Sequence, residues 1–206
     1  VWVVDGDGKL QVRDAAVAWE SEQTLLLERH SLHDGDQLVV SRVAGLVPVG
    51  CTGEAGVLSR EEREWLVRSC VEMAAGKDTI VVAGSGSNST AFTIEQTRDV
   101  KEWGADAAML ISPYYNKPQQ EGLLAHYRAV ARSVDIPQMV YNVPGRTAVN
   151  ILPETAAHLA AEPNIVGLKE ASGDLAQIEE AIARCTGLKV FSGDDGLNFQ
   201  IFGLGG

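Results

Sequence analysis

Cysteine is scarce in this chain, and its placement excludes more than its number does. Cys51, Cys70 and Cys185 are 3 residues in 206. Odd in count and without metal-type spacing, they indicate neither a disulfide framework nor a zinc site. A reducing compartment is the expectation: the cytoplasm, or a plastid if a transit peptide has been removed. Basic charge is also short. With 17 Lys and Arg against 28 Asp and Glu, the net charge is −11, whereas nucleic acid and anionic membrane surfaces demand a basic face. Long apolar runs are missing too. No stretch approaches the roughly 18 residues of a membrane span, and the N-terminus lacks a basic region followed by an apolar one. The chain therefore reads as soluble, with any targeting segment absent or removed and small metabolites as its partners.

What is present is enough hydrophobic side chain, 45%, to bury the core of one globular domain. From about residue 45 onward, short β-branched runs alternate with longer segments of helical periodicity. The spacing predicts strands at Gly45–Gly50, Thr79–Gly84, Ala107–Ser112, Gln138–Val143, Ile165–Lys169 and Lys189–Ser192, separated as βαβ crossovers require. Ser59 and Glu62 form a capping box, Pro153 suits a first helical turn, and Gly76, Gly104 and Gly187 suit helix stops. Such a chain forms a parallel sheet, open or closed into a barrel. In a closed barrel the loops after the strands gather at one face.

Those loops concentrate reactive groups: Cys51-Thr52-Gly53-Glu54, Ser85-Gly86-Ser87-Asn88, Tyr114-Tyr115-Asn116, Tyr141-Asn142, Arg146-Thr147, Lys169-Glu170 and Asp194-Asp195. Strand starts carry little. Lys169 stands out because it ends an apolar run, and burial disfavours an ammonium group, leaving a free amine able to attack a carbonyl. Schiff-base chemistry is the implied class. A strand-end lysine that snorkels to solvent is the plainer reading, and the company at the other strand ends argues against it. The intervening glycines allow backbone N–H groups to approach an anion, so a carboxylate-bearing substrate fits.

Five motifs then carry a resemblance: Gly50-Cys51-Thr52-Gly53-Glu54, the run from Ser112 to Pro118, the run from Tyr141 to Thr147, Gly167-Leu168-Lys169-Glu170-Ala171, and Ser192-Gly193-Asp194-Asp195. Together, over residues 45–206 and in order, they resemble the 4-hydroxy-tetrahydrodipicolinate synthase (dihydrodipicolinate synthase) family, with its N-acetylneuraminate lyase relatives. The resemblance implies a TIM (β/α)8 barrel and the class I condensation of pyruvate with L-aspartate 4-semialdehyde in lysine and diaminopimelate biosynthesis. It makes Lys169 the residue that forms the imine, Tyr141 the proton donor and acceptor, and Tyr115 a relay member supplied across a subunit interface. Thr52 and Gly193 fall in the pyruvate pocket, and Arg146 grips the aldehyde's carboxylate. No metal or organic cofactor is implied, because the imine itself is the electron sink. A homodimer or homotetramer is expected.

Four departures matter. Cys51 stands where the family has the relay threonine, and a thiol replaces a hydroxyl poorly as donor and acceptor, so slower turnover is expected. A nucleophilic role for Cys51 lacks a neighbouring His; His126 and His158 fall on helices. Asn88 and Tyr114 match inhibitor-site positions of lysine-regulated members, but Arg60, Arg63 and Phe92 do not, and two added cations would repel lysine. Residues 1–44 form an atypical segment in which only Val1–Val4 and Asp5-Gly6-Asp7-Gly8-Lys9-Leu10 resemble the family's opening. The chain also stops before the expected last strand and C-terminal helices, so the expected domain is a single incomplete barrel of seven strands. Two further readings stay open: an aldolase or lyase of 2-keto-3-deoxy sugar acids or N-acetylneuraminate, and a catalytically silent chain kept for association.

Overall fold

The protein is described by a computed structural model, which covers residues 44–206 in full and, ahead of them, the backbone of five short strands. The chain divides into two compact units, Val1–Val43 and Ala44–Gly206. In the first, β1 (Trp2–Val4) lies between β2 (Leu10–Val12) and β5 (Gln37–Leu38) in an antiparallel sheet, and β3 (Val17–Ser21) pairs antiparallel with β4 (Thr24–Leu27). The expected opening strand thus belongs to this antiparallel sheet and not to the parallel one. The stretch His30–Asp36, whose sequence lacks the pattern of an amphipathic helix, lies outside the described residues.

The second unit holds six parallel strands: β6 (Gly45–Leu46), β7 (Ile80–Gly84), β8 (Ala107–Ile111), β9 (Gln138–Asn142), β10 (Ile165–Glu170) and β11 (Lys189–Ser192). The parallel sheet of the described residues therefore has six strands where seven were expected. Between them run α1 (Arg60–Ala74), α2 (Thr90–Glu102), α3 (Gln120–Ser133), the short α4 (Pro144–Thr147), α5 (Pro153–Leu159) and α6 (Leu175–Arg184), with α7 (Asn198–Gly203) after β11. β6 is shorter than its apolar run because Pro48 has no N–H to pair and Val49 turns into the left-handed region at φ 50°.

Strand order equals chain order throughout. A doubly wound sheet reverses its order at a switch point; here no reversal occurs. The two faces of the sheet confirm the distinction. Val81, Ala83, Ala108, Leu110, Val140 and Leu168 share one core with helix residues such as Val67, Val100 and Leu123, whereas Val82, Ala107 and Met109 form a second cluster with Tyr141. Helices α1, α2, α3, α5 and α6 therefore cover one face, and the other is the concave interior of a barrel wall. β8 is buried along its whole length, as a parallel strand covered on both faces should be.

Local signals operate as read. Ser59 accepts from the Glu62 backbone N–H, and the Glu62 carboxylate accepts from the Ser59 N–H, at 3.2 and 2.8 Å; such a cap stabilises a helix by about 1 kcal/mol. Pro153 occupies the first turn of α5. Gly76, Gly104 and Gly187 adopt φ of 73°, 95° and 93° just past their helices, the conformation that a Cβ penalises.

Candidate active site

Side-chain alternation along a strand decides what enters the barrel. Leu168 belongs to the helix-side core and Tyr141 to the interior cluster, so Lys169, next in line after Leu168, points inward with Tyr141. Pairing puts Lys169 directly beside Tyr141, and Tyr141 beside Ile111. The Lys169 ammonium nitrogen sits 4.5 Å from the Tyr141 ring centre, within cation–π range. Lys169 is half-buried, reaching the open end of the barrel rather than sealed in the core.

Gly193 supplies the room. Its N–H donates to the Glu170 carbonyl at 2.8 Å, and a Cβ there would stand 2.7 Å from the Ala171 Cβ and 3.3 Å from the Lys169 Cε. Any larger residue would press on the lysine stem.

Cys51 follows the left-handed Val49 and starts a turn in which the Glu54 N–H donates to its carbonyl at 3.1 Å. Its surroundings desolvate the thiol and push its pKa up, against an opposing pull from Lys169. A raised pKa suppresses the thiolate, which argues against a nucleophilic Cys51. Burial, with the Cys51 charge second, raises the Tyr141 phenol, and Arg146 pulls it down. Tyr141 thus holds its proton through neutral pH while sensing Cys51 and Arg146, so four predicted residues share one electrostatic neighbourhood. The Tyr141 hydroxyl has no hydrogen bond among the described residues.

The other predicted residues lie further out. Thr52 is exposed in the turn after Cys51, and Arg146 is exposed on α4. Tyr115 is 88% exposed and held at φ 70°, a strained setting for a large side chain. Its neighbour Asn116 donates its side-chain amide to the Asn88 carbonyl at 2.9 Å, tying the loop after β8 to the loop after β7. Tyr114 lines a cavity of about 400 Å³ that Cys51 also lines.

Several strand-end groups prove structural. Asn142 and Glu170 follow Tyr141 and Lys169 and so face the helices. There the buried Glu170 accepts from the Asn142 amide at 3.0 and 3.2 Å and from the Ser172 N–H at 2.7 Å, while Asn142 also donates to Asn150, which exchanges bonds with Gln177 of α6. Ser85 shares a hydrogen bond with Thr97 at 2.9 Å, and Asp194 caps the Asp195–Leu197 turn. Sequence reasoning assigned no role to this network. Polar residues adjacent to the predicted catalytic pair on both strands were the available signal. Among the described residues, no group of three or more His, Cys, Asp or Glu side chains could hold a metal ion, and no helix is long and apolar enough to cross a membrane.

A model of the dihydrodipicolinate synthetase family matches residues 28–206. The chain belongs to that family. The match begins upstream of the Gly45 boundary drawn from the motifs. As a family member, it is 50% identical over 175 residues to a 4-hydroxy-tetrahydrodipicolinate synthase of Haloarcula marismortui, which covers 84% of this chain and 56% of the relative. Among solved structures, a chloride-inhibited dihydrodipicolinate synthase from Acinetobacter baumannii complexed with pyruvate is 46% identical, with TM-score 0.76 over 78% of this chain and 55% of that one. A monomeric dihydrodipicolinate synthase variant is 40% identical, with TM-score 0.78 over 80% of this chain and 56% of that one. The chain spans just over half the length of these relatives.

Proposed function

We propose that this chain carries the imine-forming half of a 4-hydroxy-tetrahydrodipicolinate synthase, condensing pyruvate with L-aspartate 4-semialdehyde. The observation that carries the reading is Lys169, whose ammonium nitrogen lies 4.5 Å from the Tyr141 ring at the carboxyl end of a parallel sheet, in a chain half identical to a relative of that name. The neutral Lys169 amine attacks the ketone of pyruvate, and loss of water leaves an imine. The imine withdraws electrons from the adjacent methyl group, which gives up a proton to form an enamine. The enamine carbon bonds to the aldehyde carbon, whose oxygen takes a proton. The substrate's own amine then attacks the imine carbon, closing the ring and releasing Lys169.

Tyr141 is the proton carrier, because it pairs directly with Lys169 and its phenol can donate and take back a proton beside the forming imine. Arg146 holds the semialdehyde carboxylate through its planar fork, Thr52 and Gly193 shape the pyruvate site, and Cys51 replaces the relay threonine. Tyr115, exposed and strained, is suited to reach the site of a second copy in a homodimer or homotetramer. The reaction needs no cofactor and no metal. We assign residues 45–206 to the barrel core, residues 1–44 to an atypical leading segment, and the protein to the cytoplasm.

Borohydride trapping with pyruvate, followed by peptide mapping, tests the reading. A pyruvate adduct on Lys169 that disappears in Lys169→Ala is expected. A folded sample that traps no pyruvate, or traps it on another lysine, refutes it. Dependence of the coupled condensation on Arg146 separates the synthase from a sugar-acid lyase.

A further inference from the structure

Lys169 and Tyr141 sit one rung from the end of the β9–β10 ladder. Glu170 pairs with Asn142 at the next rung, and there both strands stop. The backbone adds one more bond, from the Ala171 N–H to the Asn142 carbonyl at 2.8 Å. Side chains then take over. Asn142 is fully buried and Glu170 is 1% exposed, and the Asn142 amide donates to both Glu170 oxygens. That amide has one orientation open to it, because its oxygen accepts from the Ile151 N–H at 2.9 Å. Asn150 accepts from the same amide nitrogen and is locked to Gln177 of α6 by two reciprocal bonds, at 2.7 and 3.1 Å.

Stability alone does not account for these residues. A buried carboxylate is costly to desolvate, and well-packed apolar side chains of similar volume join elements at no loss of stability. Glu170 has no ion pair among the described residues. What an apolar pair lacks is direction: a carboxylate held by several N–H donors fixes one arrangement of the strand end that carries it. We infer that Glu170 and Asn142 are positioning residues for the imine step, holding the Lys169 amine against Tyr141 from the opposite face of the sheet. A reacting group displaced by about 1 Å loses about a hundredfold in rate. This role rests on Lys169 as the imine-forming residue, and adds that the carboxylate beside it, turned away from the pocket, sets how fast the imine forms.

The test follows borohydride-trapped imine on Lys169 against pyruvate concentration, in the whole chain and its variants. Glu170→Gln keeps the volume but sets a donor where an acceptor stood. It should lower the maximal trapping rate at least about tenfold, while the half-saturating pyruvate concentration stays within about twofold. Glu170→Asp, which keeps the carboxylate, should recover part of the rate. Gln177→Ala, on a partly exposed position, should slow trapping about threefold, as one lost hydrogen bond would. Val67→Ala, a core change on α1, should trap at the parent rate. A folded Glu170→Gln that traps at the parent rate, or that loses pyruvate affinity as much as rate, overturns the proposal, and so does a Val67→Ala slowed equally. If Glu170→Gln does not fold, an unslowed Gln177→Ala overturns it. An unaltered chain with no adduct on Lys169 refutes the proposed function and this role together; a normal adduct in the parent beside unslowed variants refutes this role alone.

Discussion

Acid should unfold this protein early, through one histidine. His126 on α3 is 5% exposed, its Nδ1 is 2.9 Å from the Thr90 hydroxyl, and its Nε2 has no partner. Protonation would add a charge and a second N–H donor where nothing accepts it. Tyr127, in edge contact at 5.1 Å, offers no compensating charge, because burial holds its phenol neutral. Burial accordingly lowers the His126 pKa from 6.5 to about 4. The folded state then binds fewer protons than the unfolded one between these values. Stability is therefore full above pH 6.5 and falls as pH drops toward 4. At about 1.36 kcal/mol per pKa unit, the loss is about 1.4 kcal/mol by pH 5.5 and about 3 kcal/mol by pH 4. His126→Asn keeps a polar atom near Thr90 and removes the titration. Urea unfolding at pH 7.5, 5.5 and 4 should show the parent losing about 3 kcal/mol more than His126→Asn across the range. Parallel pH dependences for the two proteins would refute the reasoning.

Three further outcomes follow from the same geometry. Gly84→Ala places a Cβ 2.2 Å from the Val49 carbonyl oxygen, backbone that cannot yield, and should cost about 3 kcal/mol in urea unfolding; Gly145→Ala, which meets open space, serves as the near-neutral control. Glu170→Gln sets an amide N–H₂ against donors, since both carboxylate oxygens accept from Asn142, and should cost about 1–3 kcal/mol by the same measurement. Cys51→Thr restores a hydroxyl beside Tyr141 and should speed borohydride-trapped imine formation; an unchanged rate would show that the thiol is no handicap.

The βα alternation, the helix caps and the location of reactive residues in loops after strands were all legible in the chain, because each depends on neighbours a few residues apart. Periodicity alone left open sheet and barrel undecided. The structure settles it by strand order and by helices confined to one face, which are relations between distant segments. Lys169 and Tyr141 could be picked out by motif, yet only strand pairing puts them side by side, and only alternation turns Asn142 and Glu170 away from them. Val49 illustrates the limit from the other side: a β-branched residue favours a strand, but here it takes the left-handed region, its carbonyl packed against Gly84. What the sequence by itself determined is which residue types stand at the ends of its strands; what tertiary structure decided is which of them share a face, since facing is set by register and packing across the whole sheet.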